Sequence, residues 1–259
     1  MPTLYQHRWL LANFTAREFA SRYSGSTLGL LWVAVNPLVL LAVYSFVFGQ
    51  LFNQRIAETG EASYTLFVAV ALWPWIMFAD SIQRGMGAIQ ANAGLIRKVA
   101  FPHALLVHAS VAANFAIHLI GYAAALLLLA ASGQSIKLSS LPWALVLLAL
   151  LFVFTIGLAA FLAALQTVIK DVEQALPPIL MMLHFLTPVL YPLSVIPQDY
   201  RGWLQLNPLA LFAQRFRDLL LAGGGPVSTD VTLAAISVVM LVVGLVVFNR
   251  LSPHFEDFL

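Results

Sequence analysis

The 259-residue chain contains no cysteine, which excludes disulfides, thiolate nucleophiles and cysteine-ligated metals. Charge is almost as scarce: only 9% of the residues are Asp, Glu, Lys or Arg, against roughly one-quarter in soluble domains. With 61% of the chain hydrophobic, the composition is that of an integral membrane protein. The formal net charge of +2 reflects a lack of both signs rather than a basic patch, so no nucleic-acid partner is expected. GxxxxGK[ST], HExxH and GxSxG are also missing, and no two of the 6 histidines have metal-binding spacing on one helix. Neither phosphate-loop nucleotide hydrolysis, nor zinc or serine chemistry, nor a metal site is expected. The 11 carboxylates fall in loops or near the ends of apolar runs. That leaves no mid-membrane acid of the kind ion-coupled carriers use. Energy for uphill transport must then come from a partner.

The greasy runs themselves are long. A bilayer core takes about 20 apolar residues as helix, and six candidate spans are present: Leu28–Phe52, Tyr64–Asp80, Ala104–Ala131, Leu141–Val168, Ala175–Ile196 and Thr229–Asn249. The first is too long for a signal-peptide core, so an uncleaved chain with its N-terminus in the cytoplasm is expected. An even number of spans puts both termini on that side. This orientation places Arg8, Arg17, Arg22, Arg84, Arg97, Lys98, Lys170 and Arg250 inside, in keeping with the positive-inside rule.

Two stretches outside the spans are patterned. Trp9, Ala12, Ala16, Phe19 and Tyr23 recur at helical spacing, which predicts an amphipathic helix lying in the cytoplasmic interface. Ile82, Met86, Ile89, Ala93 and Ile96 form a second stripe, predicting a short helix in the loop after the second span. A third segment, LNPLALFAQRFRDLLLAGGG, is oily yet carries Arg215, Arg217 and Asp218. Asn207-Pro208 reads as an N-cap with proline at the first helical position, and the glycine run at 223–225 ends the helix. Such a helix reaches only about 22 Å, short of a roughly 30 Å core. Two lipid-exposed arginines at mid-depth would also cost several kcal/mol. It is therefore expected not to cross, either dipping in as half of a re-entrant pair with PQDYRGWLQLN or lying flat on the outer surface.

Inside the spans, Pro37 after Asn36 predicts a kink, and Tyr44, Phe48 and Phe52 stack at four-residue intervals, a stripe that serves packing or an interfacial belt as readily as a binding site. Pro188 and Pro192, beside Phe185 and Tyr191, are expected to leave carbonyls open along a wet pathway. Asp80 and Arg84, four apart, read as a structural pair where the second span emerges; His184 reads as a hydrogen-bonded structural histidine.

REFASRYSGSTLGLLWVAVNPL, GAIQANAGLIRKVAFP, YPLSVIPQDYRGWLQLNPLALFAQRFRDLLLAGG and the terminal SPHFEDFL resemble, in order and over nearly the whole chain, the permease subunits of ABC type-2 polysaccharide exporters. The resemblance implies an all-α integral membrane fold: six spans (28–249), an N-terminal interface helix (1–27), an outer re-entrant hairpin (197–225) and a cytoplasmic tail (250–259), all one domain. It implies a bacterial inner-membrane homodimer paired with two copies of a separate ATPase that carries ATP and Mg, no cofactor being expected in this chain. The cargo would be a lipid-linked polysaccharide such as O-antigen, capsule or teichoic acid.

Carried over by position, Arg17, Arg22 and Tyr23, with Leu28 and Gly29, would meet the lipid head group, although each arginine is by itself also an ordinary positive-inside anchor. Gly94, Leu95, Ile96, Arg97 and Lys98 would contact the ATPase, with Lys170, Asp171 and Glu173 weaker candidates. Trp32, Asn36, Tyr44, Phe48, Phe52, Phe185 and Tyr191 would line the channel, and Asn207, Pro208, Arg215, Arg217 and Asp218 would build the outer hairpin. One alternative is a type-2 exporter of a drug or small lipid, marked by an aliphatic protomer interface without Tyr44 and Phe48. A membrane-embedded acyl or glycosyl transferase would need clustered carboxylates or histidines, and those present are scattered.

Overall fold

The computed structural model describes residues 7–21, 27, 29, 31–51 and 63–259, and among these there are helices and turns but no strand. Helices α1 (Arg8–Ser21) and α2 (Leu31–Tyr44, wound on as a π-type turn over Ser45–Leu51) come first. The long α3 (Tyr64–Ala91) and the single turn α4 (Ala93–Ile96) follow, then α5 (Ala104–Ala131) and α6 (Leu141–Val168). After α7 (Asp171–Leu186) come the short α8 (Gln198–Gln205) and α9 (Pro208–Leu220), then α10 (Ser228–Leu251) and α11 (Phe255–Phe258). Among the described residues, five helical segments are long and apolar enough to cross a membrane: Ala34–Leu51, α3, α5, Leu138–Val168 and Ser228–Phe258. The chain is a multi-pass, all-helical membrane protein.

Helix α3 forms the centre, buried along most of its length, with Trp73, Met77, Phe78 and Ile82 fully enclosed. Ser63 caps its start by accepting from the Leu66 amide at 3.2 Å. Helices α6 and α10 pack backbone to backbone: a Cβ added at Gly244 would fall on the carbonyl of Gly157, so only glycine permits this approach.

The structure corrects three expectations. The second span does not end at Asp80; the stripe at Ile82, Met86 and Ile89 continues the same helix to Ala91, leaving only α4 as a separate turn. Apolar burial on α3 persists past the polar residues, so the helix has no reason to stop. Asp80 consequently lies in the interior of α3 and not at its end, its Oδ2 3.0 Å from Nε2 of His118 in the middle of α5. Finally, the run 175–196 is not one helix. Helix α7 starts at Asp171 and stops at Leu186, and its 16 residues span about 24 Å. Pro188 supplies no amide hydrogen, and the chain proceeds through turns and a 3₁₀ turn at Leu193–Val195.

Candidate functional site

At the end of the bundle where α3 turns into α5, an aromatic chain ties three parts of the sequence together. Phe14 on α1 packs on Phe101 (5.6 Å between centroids), Phe101 on His103 (5.5 Å), His103 on Phe255 (6.2 Å) and Phe255 on Phe248 (5.2 Å). Burial holds His103 below its usual pKa, opposed by the carboxylate of Glu256. Ile96 is fully enclosed and anchors the turn, while Gly94, Arg97 and Lys98 are exposed and Leu95 is half-buried. Arg17 reaches the neck of this turn: its Nη2 donates to Asn92 Oδ1 at 2.6 Å, and Asn92 Nδ2 donates to the Ala88 carbonyl at 2.9 Å. Asn92 was not foreseen, since nothing in local spacing links it to a residue 75 positions earlier. Of the other proposed head-group residues, Arg22, Tyr23 and Leu28 lie outside the described residues; Gly29 adopts φ +49°.

At the opposite end, α8 and α9 form the expected pair of short helices. Asn207 Oδ1 accepts from the Leu209 amide at 3.0 Å, and Pro208 occupies the first turn. Gly223 closes α9 with φ +77°, its amide donating to Leu219 O and that of Gly224 to Asp218 O. Both arginines are buried, Arg215 at 4% and Arg217 at 3% exposure. Arg215 forms a bidentate pair with Asp230 at the start of α10 (Nε 2.7 Å, Nη2 2.9 Å), adds the Gly225 carbonyl at 3.0 Å, and lies 3.5 Å from Asp218. The hydrogen bonds to Asp230 raise its pKa above the usual arginine range.

Arg217 turns inward to the broken end of α7. Its Nη1 and Nη2 donate to the carbonyls of Pro188 and Val189, each at 2.6 Å, its Nε donates to Phe67 O at 3.3 Å, and its plane lies 3.6 Å from the Phe67 ring centroid. Tyr64 OH donates to Leu190 O at 2.8 Å, and Tyr191 OH to Phe185 O at 2.5 Å. The carbonyl of Pro188, which Pro192 leaves without an amide donor, and those of Val189 and Leu190 are thus taken up by Arg217 and Tyr64 inside the protein, so these carbonyls do not stand open to a wet pathway. The two arginines are clamps: one ties the hairpin to α10, the other holds the non-helical carbonyls just past the end of α7.

A family model for ABC-2 type transporters matches residues 10–221. The chain belongs to that family. An O-antigen export system permease protein RfbA of Myxococcus xanthus is 32% identical over 98% of this chain and 96% of its own length. One from Klebsiella pneumoniae is 29% identical over 96% and 95%. The polysialic acid transport protein KpsM of Escherichia coli is 24% identical over 90% of each.

In this ABC-2 chain the residues proposed for a channel fall into two sets. Trp32 and Asn36 are exposed on α2, on one stripe with Val39, Val43 and Phe46. Tyr44 and Phe48 lie on another side of the helix, half-buried: Tyr44 OH is 3.3 Å from His184 Nε2, and Phe48 rests on Tyr64. Phe52 lies outside the described residues. Helix α7 buries Leu176, Leu180 and His184 against the bundle and adds Val172 and Glu173 at its start, leaving Met181, Met182 and Phe185 uncovered. The Tyr44 to His184 contact therefore joins two neighbouring helices that each keep a bare face.

Proposed function

We propose that this chain is the membrane subunit of an ATP-driven exporter that carries a lipid-linked polysaccharide out across the bacterial inner membrane. The observation that carries the reading is the near end-to-end similarity to permeases named for O-antigen export in two organisms. Two copies of the chain, each with an ABC ATPase that binds ATP and Mg, form the working unit. The end bearing Gly94 to Lys98 faces the cytoplasm, as do both termini, and the hairpin end faces out. The broken stretch from α7 through Ile196 completes a sixth crossing, and the hairpin re-enters without spanning.

The mechanics follow from how the ends are built. Exposed Arg97 and Lys98 beside the buried Ile96 offer a basic contact on a firm anchor. A push from the closing ATPase dimer passes through Asn92 to Arg17 and through Phe101 to α1 and the C-terminal tail, so these parts move as one block. The bare faces of α2 and α7 meet their counterparts in the second protomer and part to admit the sugar chain; the exposed amide of Asn36 on the α2 stripe suits protein or water better than lipid. Arg17, bonded to Asn92 yet half open to solvent, couples first and meets a lipid phosphate only with its remaining donors.

A smaller cargo, a drug or single lipid, is the second reading, favoured by the aliphatic residues Val39 and Val43 on the bare stripe of α2 where Tyr44 and Phe48 were expected. Deleting the gene and assaying surface polysaccharide separates the two. Loss of the polysaccharide, restored by the wild-type gene, is expected; an unchanged surface with altered drug or lipid export rejects the polysaccharide reading. Copurification of the ATPase with an Arg97→Glu, Lys98→Glu variant tests coupling, and unchanged binding and turnover would reject that assignment.

A further inference from the structure

Behind the hairpin, between α9 and the start of α10, lies an open cavity of about 430 Å³, within the range of small-molecule sites. Its polar lining is Gln214, Arg215, Asp218, Thr229 and Thr232; Leu193, Leu204 and Leu211 supply an apolar surface. The one guanidinium is already spent, bidentate on Asp230 and bonded to Gly225 O. One positive charge, Arg215, stands against two negative ones, Asp218 and Asp230, giving a net −1 at the cavity. A phosphate or carboxylate would meet repulsion there, and among the described residues that line the cavity no cation is free to receive it.

Hydrogen-bonding capacity, by contrast, is left over. The Thr229 hydroxyl has no partner among the described residues, and that of Thr232 reaches only the Ser228 carbonyl, at 3.5 Å. Gln214 Nε2 donates to Asp218 Oδ1 at 3.0 Å, which leaves the Gln214 carbonyl oxygen and the second Asp218 oxygen facing a long contact. Donors and acceptors next to leucine side chains match a ligand whose hydroxyls do both jobs and whose ring presents a C–H face. We propose that the cavity is a subsite for neutral sugar residues, one or two rings of the exported chain, that discriminates against anionic units. The proposal rests on the polysaccharide-export reading.

The test uses the permease and its ATPase together in nanodiscs. The probes are a neutral oligosaccharide cut by mild acid from the host's own surface polysaccharide and a sialic-acid trimer as the anionic comparison. Saturation-transfer NMR is expected to detect the neutral fragment, with affinity falling about tenfold in the double variant Gln214→Leu, Thr229→Val as two hydrogen bonds are lost. Leu211→Trp fills the cavity and should abolish that binding while leaving the polar residues in place. Asp218→Asn removes a charge and should admit the sialic-acid trimer. Unchanged binding of the neutral fragment in both the double variant and Leu211→Trp overturns the proposal. So does equal binding of the anionic trimer by wild type, or a host polysaccharide made only of acidic units. Gene deletion that spares the surface polysaccharide overturns the export reading instead, and rescue by wild type and variants alike, with unchanged fragment binding, overturns only the subsite.

Discussion

Removing the Arg217 guanidinium should be among the most damaging single changes in the hairpin. In Arg217→Met, the carbonyls of Pro188 and Val189 lose their donors, and that of Phe67, which also belongs to the α3 ladder, loses its second, in a site that is 3% exposed. A buried polar group left unsatisfied costs about 1–3 kcal/mol, and the lost contact over Phe67 adds roughly 0.5–2 kcal/mol. Against this, a buried charge and its desolvation penalty disappear, an offset of several kcal/mol. The net loss is about 3 kcal/mol, combining those ranges, and a chain of this size loses about 2–4 °C in melting temperature per kcal/mol. Melting in detergent should therefore fall by about 6–12 °C. Arg217→Lys keeps the charge but not the fork, reaches fewer of the three carbonyls, and should recover less than half of the loss. Because the chain has no cysteine, a single cysteine at Val189 can report the opening of the break by its labelling rate. A melting temperature within about 1 °C of wild type in Arg217→Met, with no faster labelling at Val189, would refute the role of Arg217 as a clamp on the break.

Other changes have equally definite outcomes. Gly244→Ala sets a methyl on the Gly157 carbonyl, so α6 and α10 must separate and yield of folded protein should collapse; Gly87→Ala, with nothing within 4 Å, is the silent control, and size-exclusion profiles decide. Asn207→Ala removes the α9 cap and the bond to Thr187 Oγ1, lowering stability by about 1–2 kcal/mol, whereas Asn207→Asp keeps the cap. His103 has a pKa below its unfolded value, so its contribution is present above pH 6.5 and is lost as the pH falls toward the folded pKa. His103→Phe should keep the ring stack with Phe101 and Phe255 and melt with a smaller acid-induced drop than wild type between pH 7.5 and 5.

The parts of this fold that were legible in the sequence are those written in local periodicity. The apolar runs at α3, α5, α6 and α10, the Asn207-Pro208 start and the glycine stop of α9 needed no partner to be read. The end of α7 was not legible, because prolines announce a missing donor without saying which distant group replaces it, and Arg217 sits 29 residues from Pro188. Asp80 was misplaced for the opposite reason: polar residues at 83 and 84 suggested an exit from the membrane, while burial of Ile82, Met86 and Ile89 carried the helix on. Asp230 could have been suspected as the partner of Arg215, since an acid in a first helical turn also accepts from the Val227 amide at 2.9 Å. Tyr44 and Phe48 fall on their predicted stripe, but that stripe packs inward, an outcome periodicity alone does not decide.

The most direct measurement for the whole account is single-cysteine labelling in intact cells at positions 206, 225 and 94. Positions 206 and 225 should react with an impermeant maleimide from outside, and 94 only after permeabilisation. Labelling of 206 and 225 from opposite faces would contradict it, since the buried arginines would then belong to a segment that crosses.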